Sequence, residues 1–375
     1  MHLLWQFGCY AQTHSKELEK IEEIDLILGN NEKNKIVEIV GDFSGIERAG
    51  RGVRSYERKS LKINKIQVSN IDNQKEFLDF GTITYTEKTR ATIKVQDGCN
   101  NFCSYCLIPY ARGRIRSRRK ESVLEEISEI AKKGIKEVVI TGIHIASYGK
   151  DFDNNYKLID LLEDINKIEG IKRIRLGSLE PNVITQEFVQ RLSKLNKMCN
   201  HFHLSLQSGC NETLKRMNRK YKVEQIEESV TLLRQNFKEL ALTTDIIVGF
   251  PGETDVEFQK TYNFLEKLKL TKMHVFKYSP REGTRAAEMR EQIDGNIKEQ
   301  RSQKLIELSN CNEKEFLNNQ VGKELEVLFE EKEGKHWKGH TSNYIVVKIE
   351  GDNLENRIEK VLINSVHEFN LVGAS

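Results

Sequence analysis

The stretch that decides the fold is KVQDGCNNFCSYCLIPYARGRIRSR, from Lys94 to Arg118. It carries three cysteines, Cys99, Cys103 and Cys106, at positions i, i+4 and i+7. Thiolates at this spacing can converge on one metal cluster if the segment wraps as a loop. A structural zinc site normally has four protein ligands, and no second CxxC pair completes one here. The motif therefore predicts a cluster with one position open to another ligand.

A structural zinc knuckle is the alternative interpretation of these cysteines. Its remaining ligands would come from CNHFHLSLQSGC, which holds Cys199, His201, His203 and Cys210. The two histidines stand at strand spacing and point the same way, so they are equally explained as polar residues of a barrel strand. Cys199, Cys210 and Cys311 are each predicted to be inert thiols.

Composition and charge exclude several classes of protein. The chain has 375 residues, of which 38% are hydrophobic and 31% charged, so two or three folded domains are expected. A net charge of +3 does not by itself indicate a partner. No apolar run approaches the roughly 18 residues of a membrane span, and the start lacks the features of a signal peptide. Seven cysteines, an odd number, do not suggest a secreted disulfide framework. These features predict a cytoplasmic protein without membrane contact.

Strand-like and helix-like segments alternate from Arg90 onward, which is typical of parallel βα units. Six strands are too few for a closed eight-stranded barrel, so the predicted fold class is α/β with an open, partial parallel βα barrel. Chemistry in such folds collects at the carboxyl ends of the strands. The strand segments are ATIKVQ, KEVVITG, RIRLGSL, FHLSLQ, TTDIIVGF and KMHVFKYS, and the helix segments include ESVLEEISEIAKKG, KVEQIEESVTLLRQNF and TDVEFQKTYNFLEKLK.

Local signals predict where two of these helices begin or end. Ser122 with Glu125, and Thr254 with Glu257, fit capping boxes at helix starts. Gly134 fits a carboxyl-terminal stop for the first of these helices.

Three domains are predicted: residues 1–80 (an amino-terminal α/β segment and linker), 85–317 (the partial barrel) and 318–375 (a small β-barrel). In the first, EIDLILGN predicts a strand and NEKNKIVEIV a helix, and a polar linker runs from Gly41 to about Thr89. A long polar helix around Asn296 to Asn319 leads to the last domain. Its short strands and turns are most simply those of an OB-like barrel.

The cysteine motif, with Tyr105 before the last cysteine, resembles the hallmark of the radical S-adenosylmethionine superfamily. Other stretches resemble the methylthiotransferases within it, and the last domain resembles their TRAM domain. YARGRIRSR, TGIHIASYG and Cys210 after SLQSG resemble the branch that modifies N6-threonylcarbamoyladenosine in tRNA. The remaining stretches that carry the resemblance are GCYAQ, SLEP, HLSLQSGCNETLKRMNRKY, DIIVGFPGETDVEF and YSPREGTRA.

The resemblance implies a [4Fe-4S] cluster on Cys99, Cys103 and Cys106, the catalytic centre, with S-adenosylmethionine on its open iron. A low-potential electron donor such as flavodoxin or ferredoxin reduces the cluster, and the resulting 5′-deoxyadenosyl radical takes the hydrogen from C2 of the adenine. A methylated sulfur from a second [4Fe-4S] cluster is then delivered to that carbon of the tRNA. The alternatives are a relative acting on isopentenyladenosine or on a ribosomal-protein aspartate, and a non-catalytic RNA-binding protein that holds a cluster or zinc.

Polar groups and one glycine at strand ends are candidates for cofactor binding beside Tyr105. Gly142 ends the second barrel strand, where a missing Cβ lets backbone approach the cofactor. Ser178 and Glu180 follow the third strand, and Gln207 ends the fourth. An ordinary structural role is the alternative for each of them.

A basic run beside the cysteines is a candidate RNA-binding surface. Arg112, Arg114, Arg116 and Arg118 would contact the phosphates of tRNA, and a solvated face is the alternative. In the last domain, stacking on RNA bases and an ordinary surface hairpin are equally good interpretations of a group that mixes charge with an aromatic ring: Lys323, Lys335, His336, Trp337, Lys338 and His340.

The amino-terminal domain of this family offers three cysteines to the second cluster, and only the last of them, Cys9 in GCYAQ, is present here. The other two would lie before Met1, so we expect a truncated domain. Cys9 alone should not retain a second cluster. The chain is expected to hold about one cluster and to transfer little methylthio group unless an upstream segment with two more cysteines is restored.

Overall fold

The computed structural model describes residues 4–39, 65–81 and 89–374. Its amino-terminal part is a small parallel sheet in the order β1 (Trp5–Phe7), β2 (Leu26–Leu28), β3 (Ile66–Gln67). Two short helices, Cys9–Thr13 and Ser15–Glu19, pack on this sheet around a small apolar core.

The predicted strand in EIDLILGN is confirmed as β2. The segment NEKNKIVEIV begins with a short 3-10 turn at Lys33–Lys35 and continues as helix to residue 39. Most of the predicted linker lies outside the described residues.

The central part is an open barrel of six parallel strands, as the sequence predicts. They are β4 (Arg90–Asp97), β6 (Glu137–Gly142), β7 (Arg173–Leu176), β8 (His201–Gln207), β9 (Ala241–Val248) and β10 (Lys272–Lys277). A short antiparallel strand, β5 (Arg116–Ser117), lies between β4 and β6 in the chain and pairs with β4 at the edge of the sheet. Hydrogen bonds order them as β5-β4-β6-β7 and as β8-β9-β10. Two parallel bridges, Ile174 to Met198 and Leu179 to Leu204, bring β7 beside β8 and join the two sheets into one curved wall.

Helices cover the outer face of this wall because apolar residues alternate along its strands. On β8, Phe202, Leu204 and Leu206 are fully buried in the main core, whereas His203 and Ser205 point to the inner side. The helices are Ile108–Arg112, Lys120–Lys132, Leu158–Asn166, Gln186–Leu192, Asn211–Arg216, Val223–Asn236, Asp255–Leu268 and Gly295–Asn318.

The helix-boundary predictions are confirmed in part. Thr254 and Glu257 form a reciprocal capping box, and Gly134 lies with φ +85° directly after the end of its helix. The capping box predicted at Ser122 is wrong, because the helix already begins at residue 120. The Ser122 hydroxyl instead accepts hydrogen bonds from the guanidinium of Arg118.

The carboxyl-terminal part is a closed five-stranded barrel, in agreement with the prediction. Its strands are β11 (Glu324–Glu333), β12 (His336–Thr341), β13 (Val346–Glu350), β14 (Ile358–His367) and β15 (Asn370–Ala374), in the closed order β11-β12-β13-β15-β14. It has its own apolar core around Phe329, Val347 and Val361.

Buried arginines attach this small barrel to the amino ends of the central strands. Arg173 donates to the backbone oxygens of His340 and Glu326, each at 2.8 Å. Arg175 donates to Ser342 O at 3.1 Å and to the Glu137 carboxylate at 2.9 Å. The amino ends of the strands therefore serve for attachment, and their carboxyl ends stay available for chemistry. Among the described helices, none has the length and apolarity to cross a membrane.

Replacing Glu137 with Ala is expected to lower the free energy of unfolding by about 3 kcal/mol, because it leaves the buried Arg175 without its carboxylate partner. Urea unfolding under reducing conditions, followed by circular dichroism, measures the change. Glu129→Ala, which removes one partner of an exposed ion pair with Lys132, is the matched control and should have little effect. Equal effects of the two substitutions would contradict this account of the interface.

Candidate functional site: a three-cysteine loop at the mouth of the barrel

The loop that carries the three cysteines leaves β4 through a turn that requires glycine. Gly98 has φ +72°, and a Cβ there would lie 1.8 Å from the backbone oxygen of Arg114. The backbone of Cys99 then donates to Gly113 O at 3.0 Å. The first cysteine, at the start of the loop, is thus tied to Gly113 at its end.

The middle of the loop is anchored to the segment after β8. Ser104 N donates to Met217 O at 3.0 Å, and its hydroxyl donates to Arg216 O at 2.8 Å. Asn218 Nδ2 donates to Phe102 O at 2.8 Å, which supports the left-handed backbone of Phe102 at φ +48°. The loop is therefore fixed by residues more than a hundred positions away in the chain.

The three thiols are partly buried and free of disulfides. Burial raises the pKa of Cys99 to about 11 and also raises the pKa of Cys106, so a nearby positive charge is needed to hold them as thiolates. Arg219 supplies such a charge for Cys106, whose pKa it lowers against the effect of burial, and its Nη1 lies 3.1 Å from Cys103 Sγ. Three sulfur donors on one loop fit an iron–sulfur cluster with an open iron, so the residues present suit this group.

A buried polar network lies against the cysteine loop. Glu180, which is 4% exposed, accepts from Asn101 Nδ2 at 2.8 Å and pairs with Arg219 Nη2 at 2.8 Å. Nε2 of His144 lies 3.0 Å from the other oxygen of this carboxylate. Burial alone would raise the pKa of Glu180, but the His144 hydrogen bond and the charge of Arg219 outweigh it and lower the pKa to about 2. Glu180 is therefore an anion at neutral pH.

The other predicted cofactor residues lie around the same mouth. Gly142 approaches β4 so closely that a Cβ would lie 2.9 Å from Gln96 O. The Tyr105 ring packs edge-on against Phe250 with 6.2 Å between the ring centroids, and burial raises its pKa. Gln207 ends β8 with a left-handed φ of +66°.

Ser178 is exposed and stands two residues before Glu180. The roles of Tyr105, Gly142, Ser178 and Gln207 in cofactor binding stay predictions. Sequence reasoning missed Arg219, His144 and Asn101, although Arg219 lies in the quoted stretch KRMNRKY.

The arginine run is divided between interior and surface. Arg116 is 3% exposed and lies 3.7 Å from Asp97, and Arg118 is buried against Asp79 and Glu126. These two guanidiniums are used inside the protein and do not face RNA in this conformation.

The other two arginines are more accessible. Arg114 is more than half exposed and lies over the Phe102 ring at 4.7 Å from its centroid. The Arg112 side chain is 23% exposed and lies 3.8 Å from Asp97. A phosphate-binding role therefore stays open for Arg112 and Arg114.

Trp337 does not lie on the surface of the small barrel as the RNA-stacking prediction requires. It is 8% exposed within the barrel core, and its indole Nε1 donates to Gly351 O at 3.1 Å. An indole buried and hydrogen-bonded in this way packs the barrel and cannot stack on a base.

Cys9 lies near the outer side of the cysteine loop. The helix Cys9–Thr13 packs against the helix Ile108–Arg112 that follows the third cysteine. Asn30 connects the two, with Nδ2 2.6 Å from Ala111 O and 3.8 Å from Cys9 Sγ. Cys9 therefore lies on a helix that contacts the segment after the cysteine loop, and it is separate from the three cysteines of that loop.

Comparison with known proteins gives consistent matches. The model of the Radical SAM superfamily matches residues 93–265. The threonylcarbamoyladenosine tRNA methylthiotransferase MtaB of Bacillus subtilis (strain 168) is 39% identical over 95% of this chain and 77% of its own. The tRNA-2-methylthio-N(6)-dimethylallyladenosine synthase of Acetivibrio thermocellus is 35% identical over 98% of this chain and 74% of its own. The ribosomal protein uS12 methylthiotransferase RimO of Clostridium botulinum (strain Loch Maree) is 39% identical over 86% of this chain and 69% of its own.

Anaerobic reconstitution with iron and sulfide is expected to load a cluster on the parent chain, and Cys103→Ala is expected to abolish most of this iron because one of three thiolates is lost. Iron and sulfide analysis with visible absorption measures it. Cys311→Ala removes an exposed thiol on a distant helix and should keep full loading. Stoichiometric zinc without iron–sulfur absorption in the parent would favour the zinc-knuckle alternative.

Proposed function

Since this chain belongs to the methylthiotransferase family of radical S-adenosylmethionine enzymes, we propose that it adds a methylthio group to C2 of N6-threonylcarbamoyladenosine in tRNA, next to the anticodon. The observation that carries the proposal is the three-cysteine loop at the carboxyl ends of the barrel strands, in a chain similar to its relatives over nearly its whole length. The proposed class of reaction is group transfer started by a radical.

Radical S-adenosylmethionine enzymes bind a [4Fe-4S] cluster and S-adenosylmethionine, and the reduced cluster supplies the electron that cleaves this cofactor to start the radical reaction. Cys99, Cys103 and Cys106 would hold the cluster. Arg219 places a positive charge 3.1 Å from the Cys103 sulfur, which would offset part of the negative charge of the ligand set. The partial burial of the thiols limits the access of water to this charge.

Glu180 is the residue best suited to hold the cationic part of S-adenosylmethionine. Its carboxylate is ionised at neutral pH and aimed by Arg219, His144 and Asn101. Gly142 lets the end of β6 pack closely against Gln96 of β4 at this mouth, and its backbone is proposed as a further contact of the cofactor. Tyr105, Ser178 and Gln207 lie at the same end of the barrel and are proposed as further contacts.

The choice of branch rests on motifs as well as on identity. YARGRIRSR, TGIHIASYG and Cys210 resemble the threonylcarbamoyladenosine branch, and the threonylcarbamoyladenosine tRNA methylthiotransferase of Bacillus subtilis matches 95% of this chain. Cys210 is 1% exposed, and its sulfur donates to the Glu212 carboxylate at 2.9 Å before the helix Asn211–Arg216. The relatives that act on dimethylallyladenosine or on a ribosomal protein define the second candidate function.

The remaining partners follow from this reaction. The tRNA would contact the accessible guanidiniums of Arg112 and Arg114, a low-potential flavodoxin or ferredoxin would supply electrons, and the reaction would take place in the cytoplasm. Cys9, beside the helix that follows Cys106, is proposed as one of the three cysteine ligands of the second cluster that donates the sulfur, and the transfer step requires the other two as well.

Glu180→Gln is expected to weaken S-adenosylmethionine binding about tenfold, because an amide lacks the charge that pairs with the ammonium group. Equilibrium dialysis with the reconstituted protein measures the dissociation constant, and iron content should stay at the parental value. Glu163→Gln, a partner of Arg191 on the outer surface, is the matched control. Unchanged affinity in Glu180→Gln would remove this residue from the proposed cofactor site.

Deleting the gene for this chain is expected to abolish 2-methylthio-N6-threonylcarbamoyladenosine in the tRNA of its organism and to leave the unthiolated nucleoside in its place. Mass spectrometry of hydrolysed tRNA measures both. The isopentenyladenosine derivatives in the same sample are the internal control and should not change. Loss of their methylthio form instead, or methylthio loss confined to a ribosomal-protein aspartate, would establish the second candidate function.

A further inference from the structure

The inner side of the open barrel forms a polar lumen below the cysteine loop. Because side chains alternate across each strand, the buried residues of β8 and β9 pack outward on helices, whereas His203, Thr243 and Asp245 face inward and stay partly exposed. On the edge strand β10, His274 and Phe276 alternate with residues of the core and are exposed. The strand register places His274 opposite Asp245.

Five of these inward residues form one contiguous polar layer: His201, His203, Thr243, Asp245 and His274. Thr243 Oγ1 lies 3.1 Å from His201 Nε2 and 2.9 Å from His203 Nδ1. His203 Nε2 lies 3.2 Å from an Asp245 oxygen, and the His203 and His274 rings are 5.9 Å apart between centroids. The polar layer therefore presents hydrogen-bond donors and acceptors that are already aligned by their neighbours.

The floor below the polar layer comes from the small carboxyl-terminal barrel. Tyr344, in the turn between β12 and β13, is 43% exposed, and its ring lies 5.1 Å from the His201 ring. The guanidiniums of Arg175 and Arg90 lie 4.5 Å and 5.3 Å from the Tyr344 centroid. Burial, together with the charge of Arg175, lowers the pKa of His201 to about 3, so this histidine is neutral at the floor.

The lumen connects the polar layer to the cysteine loop. Ile247, opposite Phe276 in the strand register, packs in the apolar cluster that includes Tyr105, the residue before Cys106. From Ile247 to Thr243 the strand advances four residues, or about 13 Å at roughly 3.3 Å per residue. This depth suits a nucleoside base with an attached side group.

We propose that the polar layer, with Tyr344 beneath it, receives the substituent on N6 of the target adenosine and selects for one that carries a hydroxyl and a carboxylate. The inference rests on the proposed function, in which C2 of the adenine approaches the cysteine loop. C2 and C6, the carbon that carries N6, belong to the same ring, so a group on N6 extends away from C2 along the wall of the lumen.

A threonylcarbamoyl group matches the chemistry of the polar layer, and an isopentenyl group does not. Its hydroxyl can donate to the Asp245 carboxylate, which His203 holds in place at 3.2 Å, and its own carboxylate can accept from the exposed His274. The buried Glu137 pairs with Arg175. An apolar substituent would exclude water from Asp245 and His274 without replacing the hydrogen bonds to it, which is how a polar site rejects an analogue that lacks hydrogen-bonding groups.

The test compares the full chain with a His203→Leu/His274→Leu double variant in binding to anticodon stem-loop RNAs, by fluorescence anisotropy at one salt concentration. The RNAs carry N6-threonylcarbamoyladenosine, N6-isopentenyladenosine or unmodified adenosine at the same position. We expect the double variant to lose about tenfold in affinity for the first RNA and to keep its affinity for the other two. Gln259→Leu, on the exposed face of the helix Asp255–Leu268, is the matched control. His274→Leu alone, at an exposed position, gives the same comparison if the double variant does not fold.

The outcomes separate this inference from the proposed function. The inference alone would be overturned if the parent chain prefers the threonylcarbamoyl RNA and the variants either keep that preference or lose affinity equally for all three RNAs. A parent chain that prefers the isopentenyl RNA would overturn the proposed function and the inference together.

Discussion

The buried guanidinium of Arg219 is the contact on which the geometry of the site depends. It lies 3.1 Å from the Cys103 sulfur, pairs with Glu180 at 2.8 Å, donates to Ser205 O at 3.1 Å and holds the Tyr221 hydroxyl at 2.8 Å. One planar group thus joins the cysteine loop, the segment after β7 and the end of β8. Removing two charges from water is costly unless their polar atoms find partners, and here each of the three guanidinium nitrogens has one, drawn from three parts of the chain.

The two ends of the barrel are stabilised by similar chemistry for different purposes. At the amino ends of the strands, Glu137 neutralises Arg175, and this pair together with Arg173 attaches the small barrel. At the carboxyl ends, Glu180 and Arg219 hold the loop that carries the cysteines. Because parallel strands place all their carboxyl ends at one edge, attachment and chemistry are kept on opposite sides of the same wall.

The lumen between these ends relates the reaction to its substrate. A family of enzymes that shares one radical reaction has to distinguish its targets by groups distant from the reacting carbon. In this chain the polar layer lies on the walls of the lumen, and the small barrel contributes Tyr344 to its floor. The small barrel thus contributes a residue to the proposed substrate site and is also a candidate RNA-binding domain. The basic run contributes less surface charge than its sequence suggests, because Arg116 and Arg118 are used in interior ion pairs.

Local patterns in the sequence were sufficient for the cysteine spacing, the six central strands, the Thr254 capping box and the closed small barrel, because periodicity and turn chemistry act between near neighbours. The sequence likewise placed Glu180 at a strand end. It did not identify Arg219, which meets Cys103 across 116 positions, nor show that Trp337 is buried. It also misjudged Ser122, which does not cap the helix because its hydroxyl accepts a hydrogen bond from the guanidinium of Arg118. Which charged and polar side chains meet is decided when distant segments pack, since burial requires each of them to find a partner, and only the tertiary structure determines which partner that is.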